Sequence, residues 1–116
     1  MKVVRRAVVT SQQTVIGVSV ARRWMLASGV ITVEAAFTTD VGVICTGLVI
    51  AVEGSITGVN YFAIASRTFT AAERTAKCSM FHIVDKPVVW IRTNITTLTQ
   101  TGVGDVKVTV NLLSYD

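Results

Sequence analysis

A chain of 116 residues with 51% hydrophobic residues, 16% charged residues and a formal net charge of +4 has the size of one small domain, so a single unit over residues 1–116 is expected and a second core is excluded. A charged fraction well below the roughly 25% of an ordinary globular domain leaves a surface that is either polar and uncharged or partly covered. Thr, Val and Ile dominate, and this β-branched excess favours pleated sheet over helix.

The opening "MKVVRRAVVTSQQTV" has a basic start but no apolar stretch of useful length before polar residues intervene, so it does not read as a signal peptide. The sequon Asn94-Ile95-Thr96 then carries no information about glycosylation. Strands are expected at about Val3 to Thr10 and Thr14 to Arg22, separated by Ser-Gln-Gln, and at Gly29 to Thr38 after Ala-Ser-Gly. Between them, Arg22 and Arg23 adjoin Trp24 and Met25.

Next comes "VGVICTGLVIAV", Val41 to Val52, with Asp40 before it and Glu53 after it. It is shorter than the about 20 apolar residues a membrane helix needs. Its β-branched residues, with Gly42 and Gly47, also oppose a helix interior. Two readings remain: a strand covered on both faces, whose second face meets another copy or another protein, or two short strands separated by a bulge at Gly47. A further strand is expected at Ser55 to Ala65. Thr70-Ala71-Ala72-Glu73 fits a capping box, which predicts one short helix near residues 71–77.

After "CSMFHIV", Asp85-Lys86-Pro87 reads as a turn into "PVVWIRTNITTL". That strand sets Val89, Ile91, Thr93 and Ile95 on one side and Val88, Trp90, Arg92, Asn94 and Thr96 on the other. The final strand alternates Val106, Val108, Val110 and Leu112 with Lys107, Thr109 and Asn111. The Gly-containing "TQTGVGD" between them predicts an antiparallel hairpin. The fold class is therefore all-β: an antiparallel β-sandwich or jelly-roll-like domain with at most one short helix.

Convergent chemistry is sparse. The one histidine and two cysteines give a single suggestive pair, Cys78 and His82, four residues apart on one face. The simpler reading is two buried thiols, at Cys45 and Cys78, and a structural histidine. The spacings of Cys45, Cys78 and His82 lack the paired knuckles of a structural zinc site, so no metal and no cofactor are expected. Gly102-Val103-Gly104 leads into a strand and not a helix, unlike a phosphate cradle. The basic balance permits a nucleic-acid surface built from Arg22, Arg23, Arg92 and Trp90.

"TQTGVGDVKVTVNLLSYD", a Gly-containing loop followed by an alternating Val/Thr strand ending in Tyr-Asp, resembles the closing strands of small virion proteins of tailed bacteriophages, such as capsid decoration proteins and head-fibre bases. The likeness covers the last sixth of the chain in pattern and the remainder in composition, and it assigns no role to any residue. It implies a non-enzymatic structural protein of the virion that forms a homo-oligomer, a trimer first among the options, and binds a capsid or other virion protein without a membrane. Candidate contacts on that reading are Trp24, Met25, Val41, Val43, Leu48, Ile50 and Trp90. The alternative is a cytoplasmic single-strand-binding β module.

Overall fold

A computed structural model describes residues 4–26 and 29–115. The strands are β1 (Val4–Gln13), β2 (Gly17–Val18), β3 (Arg22–Leu26), β4 (Val30–Thr39), β5 (Ile44–Ser55), β6 (Phe62–Thr68), β7 (Cys78–Val84), β8 (Val88–Thr101) and β9 (Val106–Tyr115), with one helix, α1 (Ala71–Ala76), between β6 and β7. Two antiparallel sheets face each other. One runs β1-β9-β4-β7; the other runs β2-β8-β5-β6, with β3 also paired to β8. Taking β2 and β3 as one interrupted strand, this is the order of a jelly roll, in which the first and last strands are neighbours and every connection between β3 and β9 except the β5–β6 one carries the chain from one sheet to the other.

Alternation explains the core. Ile31, Val33, Ala35 and Phe37 of β4, and Val106, Val108, Val110 and Leu112 of β9, point inward from one sheet. Leu48, Ile50 and Val52 of β5 and Ile91 and Ile95 of β8 meet them from the other. Polar links cross the sandwich near both margins. The buried hydroxyls of Thr10 on β1 and Thr93 on β8 are hydrogen-bonded to each other. On the opposite margin Arg67 of β6 donates to Ser79 of β7 at 3.1 Å.

The helix forms where the capping box predicts it. Thr70 Oγ1 accepts from the Glu73 amide at 3.2 Å, Glu73 Oε1 accepts from the Thr70 amide at 2.9 Å, and Lys77 ends the helix in the left-handed region at φ 61°. None of its residues is buried, so α1 is held by its flanks. Phe69 is buried in the core, its amide donates to the Leu48 carbonyl at 2.9 Å, and the Phe37 amide donates to the Lys77 carbonyl at 3.0 Å.

The hairpin expected from "TQTGVGD" does not form. Strands β8 and β9 lie in different sheets, and the loop passes over the end of the sandwich. An alternating strand hides its apolar side equally well in either sheet, so the pattern does not select the partner. The decisive contact is between loops: at Gly102, φ 90°, a Cβ would run into the Gly42 carbonyl oxygen. The Val41 to Val52 run begins later than expected, since Val41 and Gly42 form a turn and β5 starts at Ile44. A bulge does fall between Cys45 and Gly47 against β8, yet the strand continues through it. Its outer side carries Gly47, Val49, Ala51 and Glu53, with Ala51 buried between its register partners Asn94 and Ser66.

Two other expected strands are shorter. The Thr14 to Arg22 segment keeps only the two residues of β2 and the first of β3. Ser55 to Ala65 is largely a loop, because Ser55 Oγ accepts from the Gly58 amide at 2.9 Å and Thr57 Oγ1 from the Val59 amide at 3.2 Å, turning the backbone away from a ladder. Cys45 is buried as expected, but Cys78 is exposed on the outer side of β7.

Candidate assembly surfaces

The seven candidate contacts fall in different places. Trp24, Val43, Leu48 and Ile50 belong to the core of the single chain. Their apolarity is satisfied inside the sandwich, and they have no free surface to give a partner. Met25 lies in β3, with its side chain outside the described residues. Trp90 is half-buried, with its indole against Gly58, and only Val41 is fully exposed.

Exposed apolar side chains gather instead at the loops. At one end, the turn at 40–43 and the loop at 102–105 are locked together. Asp40 donates its amide to the Asp105 carbonyl at 3.1 Å, Asp40 Oδ2 accepts from the Asp105 amide at 2.9 Å, and Lys107 Nζ lies 3.6 Å from Asp40 Oδ1. Val41 and Val103, 102% and 97% exposed, project from this fixed pair of loops, with Ile44 close by in sequence at 64%. At the other end the β5–β6 connection exposes Ile56, Val59 and Phe62, at 76%, 79% and 72%. Beside them lies a cavity of about 300 Å³ lined by Ile56, Phe62, Ile64, Pro87 and Val88 among others. The sequence signal for these residues was an apolar side chain next to turn-forming Gly, Ser or Asn, which periodicity treats as a strand position.

The nucleic-acid set is partly assembled and largely engaged. Arg23 pairs with Trp90 in register, so the two share the outer side of their sheet with Arg92. Arg92 Nε donates to Glu53 Oε1 at 2.7 Å, and its guanidinium lies 3.9 Å from the centre of the Tyr61 ring. Arg22 and Arg23 are exposed. Cys78 and His82 both project from β7, but four strand residues place them about 13 Å apart, too far for a thiolate-imidazolium couple. His82 Nδ1 instead lies 3.1 Å from Thr32 Oγ1 across the strand pair. Among the described residues no group of three or more His, Cys, Asp or Glu is arranged to hold a metal ion. None of the described helices is long and apolar enough to cross a membrane.

One other hollow, of about 460 Å³, opens between α1 and the facing ends of β4 and β5. Phe37, Val43 and Cys45 contribute its apolar lining, Thr39, Thr46 and Thr75 bring hydroxyls, and Arg74 and Lys77 bring positive charge. Burial pushes the Cys45 thiol up, with a bond to the Gly47 carbonyl and the nearby Arg74 acting in the opposite direction.

These two sheets define a jelly roll by strand order, and comparison with solved structures agrees. The SPBc2 prophage-derived protein YomS superposes with a TM-score of 0.57 at 10% identity, over 98% of this chain and 96% of that one. The VP2 subviral particle protein of infectious bursal disease virus gives 0.60 at 12% identity over 98% of this chain, which spans only 32% of VP2. A family 29 carbohydrate-binding module gives 0.50 at 9% identity, over 97% of this chain and 88% of the module. Such identities establish the fold and leave function to be argued from the surface. The chain matches no family model and no curated protein sequence.

Proposed function

We propose that this chain, acting as one structural unit over residues 1–116, is a non-enzymatic virion component that self-associates and docks on a larger protein assembly, as a capsid decoration or head-associated protein of a phage does. The observation that carries the reading is the exposure of large apolar side chains on fixed loops at the ends of the sandwich, in a chain with only 16% charged residues. The likeness of fold to a prophage-derived protein and a viral particle protein supports it.

Self-association is assigned to the Ile56, Val59 and Phe62 end, because there three large side chains adjoin an apolar groove that a second copy can fill. Burying a large aliphatic or aromatic side chain is worth about 1.5–3 kcal/mol, so three supply about 4.5–9 kcal/mol. Association costs of about 4–15 kcal/mol oppose this. The balance favours a weak oligomer in free solution that becomes firm when several copies bind one lattice. The Val41 and Val103 tip, with two fully exposed valines in place of three large side chains beside a groove, is assigned to the lattice contact.

Light scattering after size exclusion, over a range of protein concentrations and at low and high salt, tests this. A trimer or other closed oligomer that grows with concentration, persists in high salt and reverts to monomer on Phe62→Ser is expected. A monomer at every concentration would remove the self-association, and tight salt-sensitive binding of a mixed-sequence oligonucleotide would favour the alternative function through Arg22, Arg23 and Arg92.

A further inference from the structure

We infer that the hollow between α1 and the ends of β4 and β5 is a binding site for a small organic carboxylate with an apolar body. The inference does not depend on the assembly reading, since none of the residues assigned to self-association lines it. The site measures about 460 Å³ and takes its two cations from one short stretch, Arg74 in the last turn of α1 and Lys77 immediately after it. No Asp or Glu is among its lining residues.

The nearby carboxylates are engaged elsewhere. Glu73 is turned to the β6–β7 margin, where Arg67 Nη2 donates to it at 2.7 Å, and Asp40 is committed to the Asp105 amide and Lys107. Among the described residues, Arg74 Nη1 donates to the Phe69 carbonyl at 2.9 Å and Lys77 Nζ to Thr39 Oγ1 at 3.3 Å, and neither cation has a carboxylate partner. Both cations line the same hollow, and an anion bound there is attracted by each and accepts from their remaining N–H groups.

The rest of the lining selects the ligand's body. Ile44, 64% exposed, with the edges of the largely buried Phe37, Val43 and Cys45, makes an apolar wall, while Thr39, Thr46 and Thr75 set hydroxyls around it. A bare inorganic oxyanion would satisfy the cations but leave that wall uncovered. A hollow of this size, lined by apolar and polar side chains in equal number, has room for a small ligand with both an apolar and a charged part.

Titration of the full chain with sodium benzoate at fixed ionic strength, followed by amide chemical shifts, tests the site. Benzoate is expected to saturate shifts at residues 37–46 and 71–77 with a dissociation constant on the order of a few millimolar, as a ligand of this size allows. Inorganic phosphate is expected to bind at least about tenfold more weakly, since it gains only the electrostatic part. Lys77→Gln and Arg74→Gln are each expected to weaken benzoate at least about fivefold, the range of a lost charge-assisted hydrogen bond. Because Arg74 also holds the Phe69 carbonyl, Ala71→Trp provides a second variant that keeps both cations and fills the space, and it is expected to abolish binding. Non-saturating shifts, unchanged affinity in Lys77→Gln and Ala71→Trp, or phosphate binding as tight as benzoate would each overturn the proposal.

Discussion

Glu73 holds the two sheets together through a small set of bonds. Arg67 reaches it with Nε at 3.2 Å and Nη2 at 2.7 Å, the Ser79 hydroxyl donates to the same oxygen, and the Thr70 amide donates to the other at 2.9 Å. Arg67 first, then Ser79 and Thr70, draw its pKa down to about 2 from the ordinary 4.5. A carboxylate depressed in the folded state stabilises the fold fully above its unfolded value, and that stabilisation is lost as pH falls through the folded value. In the window between about 4.5 and 2 the unfolded chain binds more protons, so stability falls with falling pH. Urea unfolding midpoints measured across this window are expected to drop in the wild type and to change less in Glu73→Gln. Equal slopes in the two proteins would show that other carboxylates dominate the acid response. The exposure of the Arg67 side chain, 40%, means that solvent screens part of this pair.

At the scale of elements, the sequence shows what each segment hides but not which segment it lies beside. The alternation in β9, and in β8 apart from the buried Val88, sorts inner from outer residues, and Thr70 with Glu73 locates α1 to within a residue of its ends. Pairing was lost because β8 and β9 each present one apolar side, and "TQTGVGD" is compatible with a hairpin or with a crossing between sheets. For the same reason Trp24, Val43, Leu48 and Ile50 read as surface candidates when their own chain covers them. Ile56, Val59 and Phe62 were missed because side-chain bonds from Ser55 and Thr57 bend the backbone where composition alone promises a strand. The loop crossing has a direct test. Gly102 sits at φ 90° with no room for a Cβ beside Gly42, so Gly102→Ala is expected to cost more than about 1 kcal/mol in chemical denaturation. Gly42, also at positive φ but facing open space, would suffer only the backbone strain, so Gly42→Ala is expected to cost less. Similar losses at both positions would mean that the contact between the two loops adds nothing to the fold.

Across the whole molecule, the topology joins chain ends and crosses repeatedly between sheets. Strand β1 pairs with β9, with Val4 opposite Tyr115 and Ala7 opposite Leu112, so the first sheet cannot be completed until nearly the entire chain has been gathered. In the second sheet β5 pairs with β8 from Ile44 opposite Thr101 to Ser55 opposite Trp90, again across a long separation. Loop closure must be met before such pairings reward it, which places this architecture among the slow folders. Refolding from urea, followed by tryptophan fluorescence, is expected to take milliseconds to seconds at 25 °C, the range of β sandwiches. Trp24 in the core is expected to report the closing step, whereas Trp90, half-buried against Gly58, reports the β5–β6 loop. Each tryptophan replaced in turn by Phe separates the two signals. A single rate seen by both probes would mean that the sandwich and its β5–β6 end form together, so that Ile56, Val59 and Phe62 are presented only once the chain is folded. A loop signal that precedes core closure would mean that this apolar end is exposed before the fold is complete, and self-association would then compete with folding at high concentration.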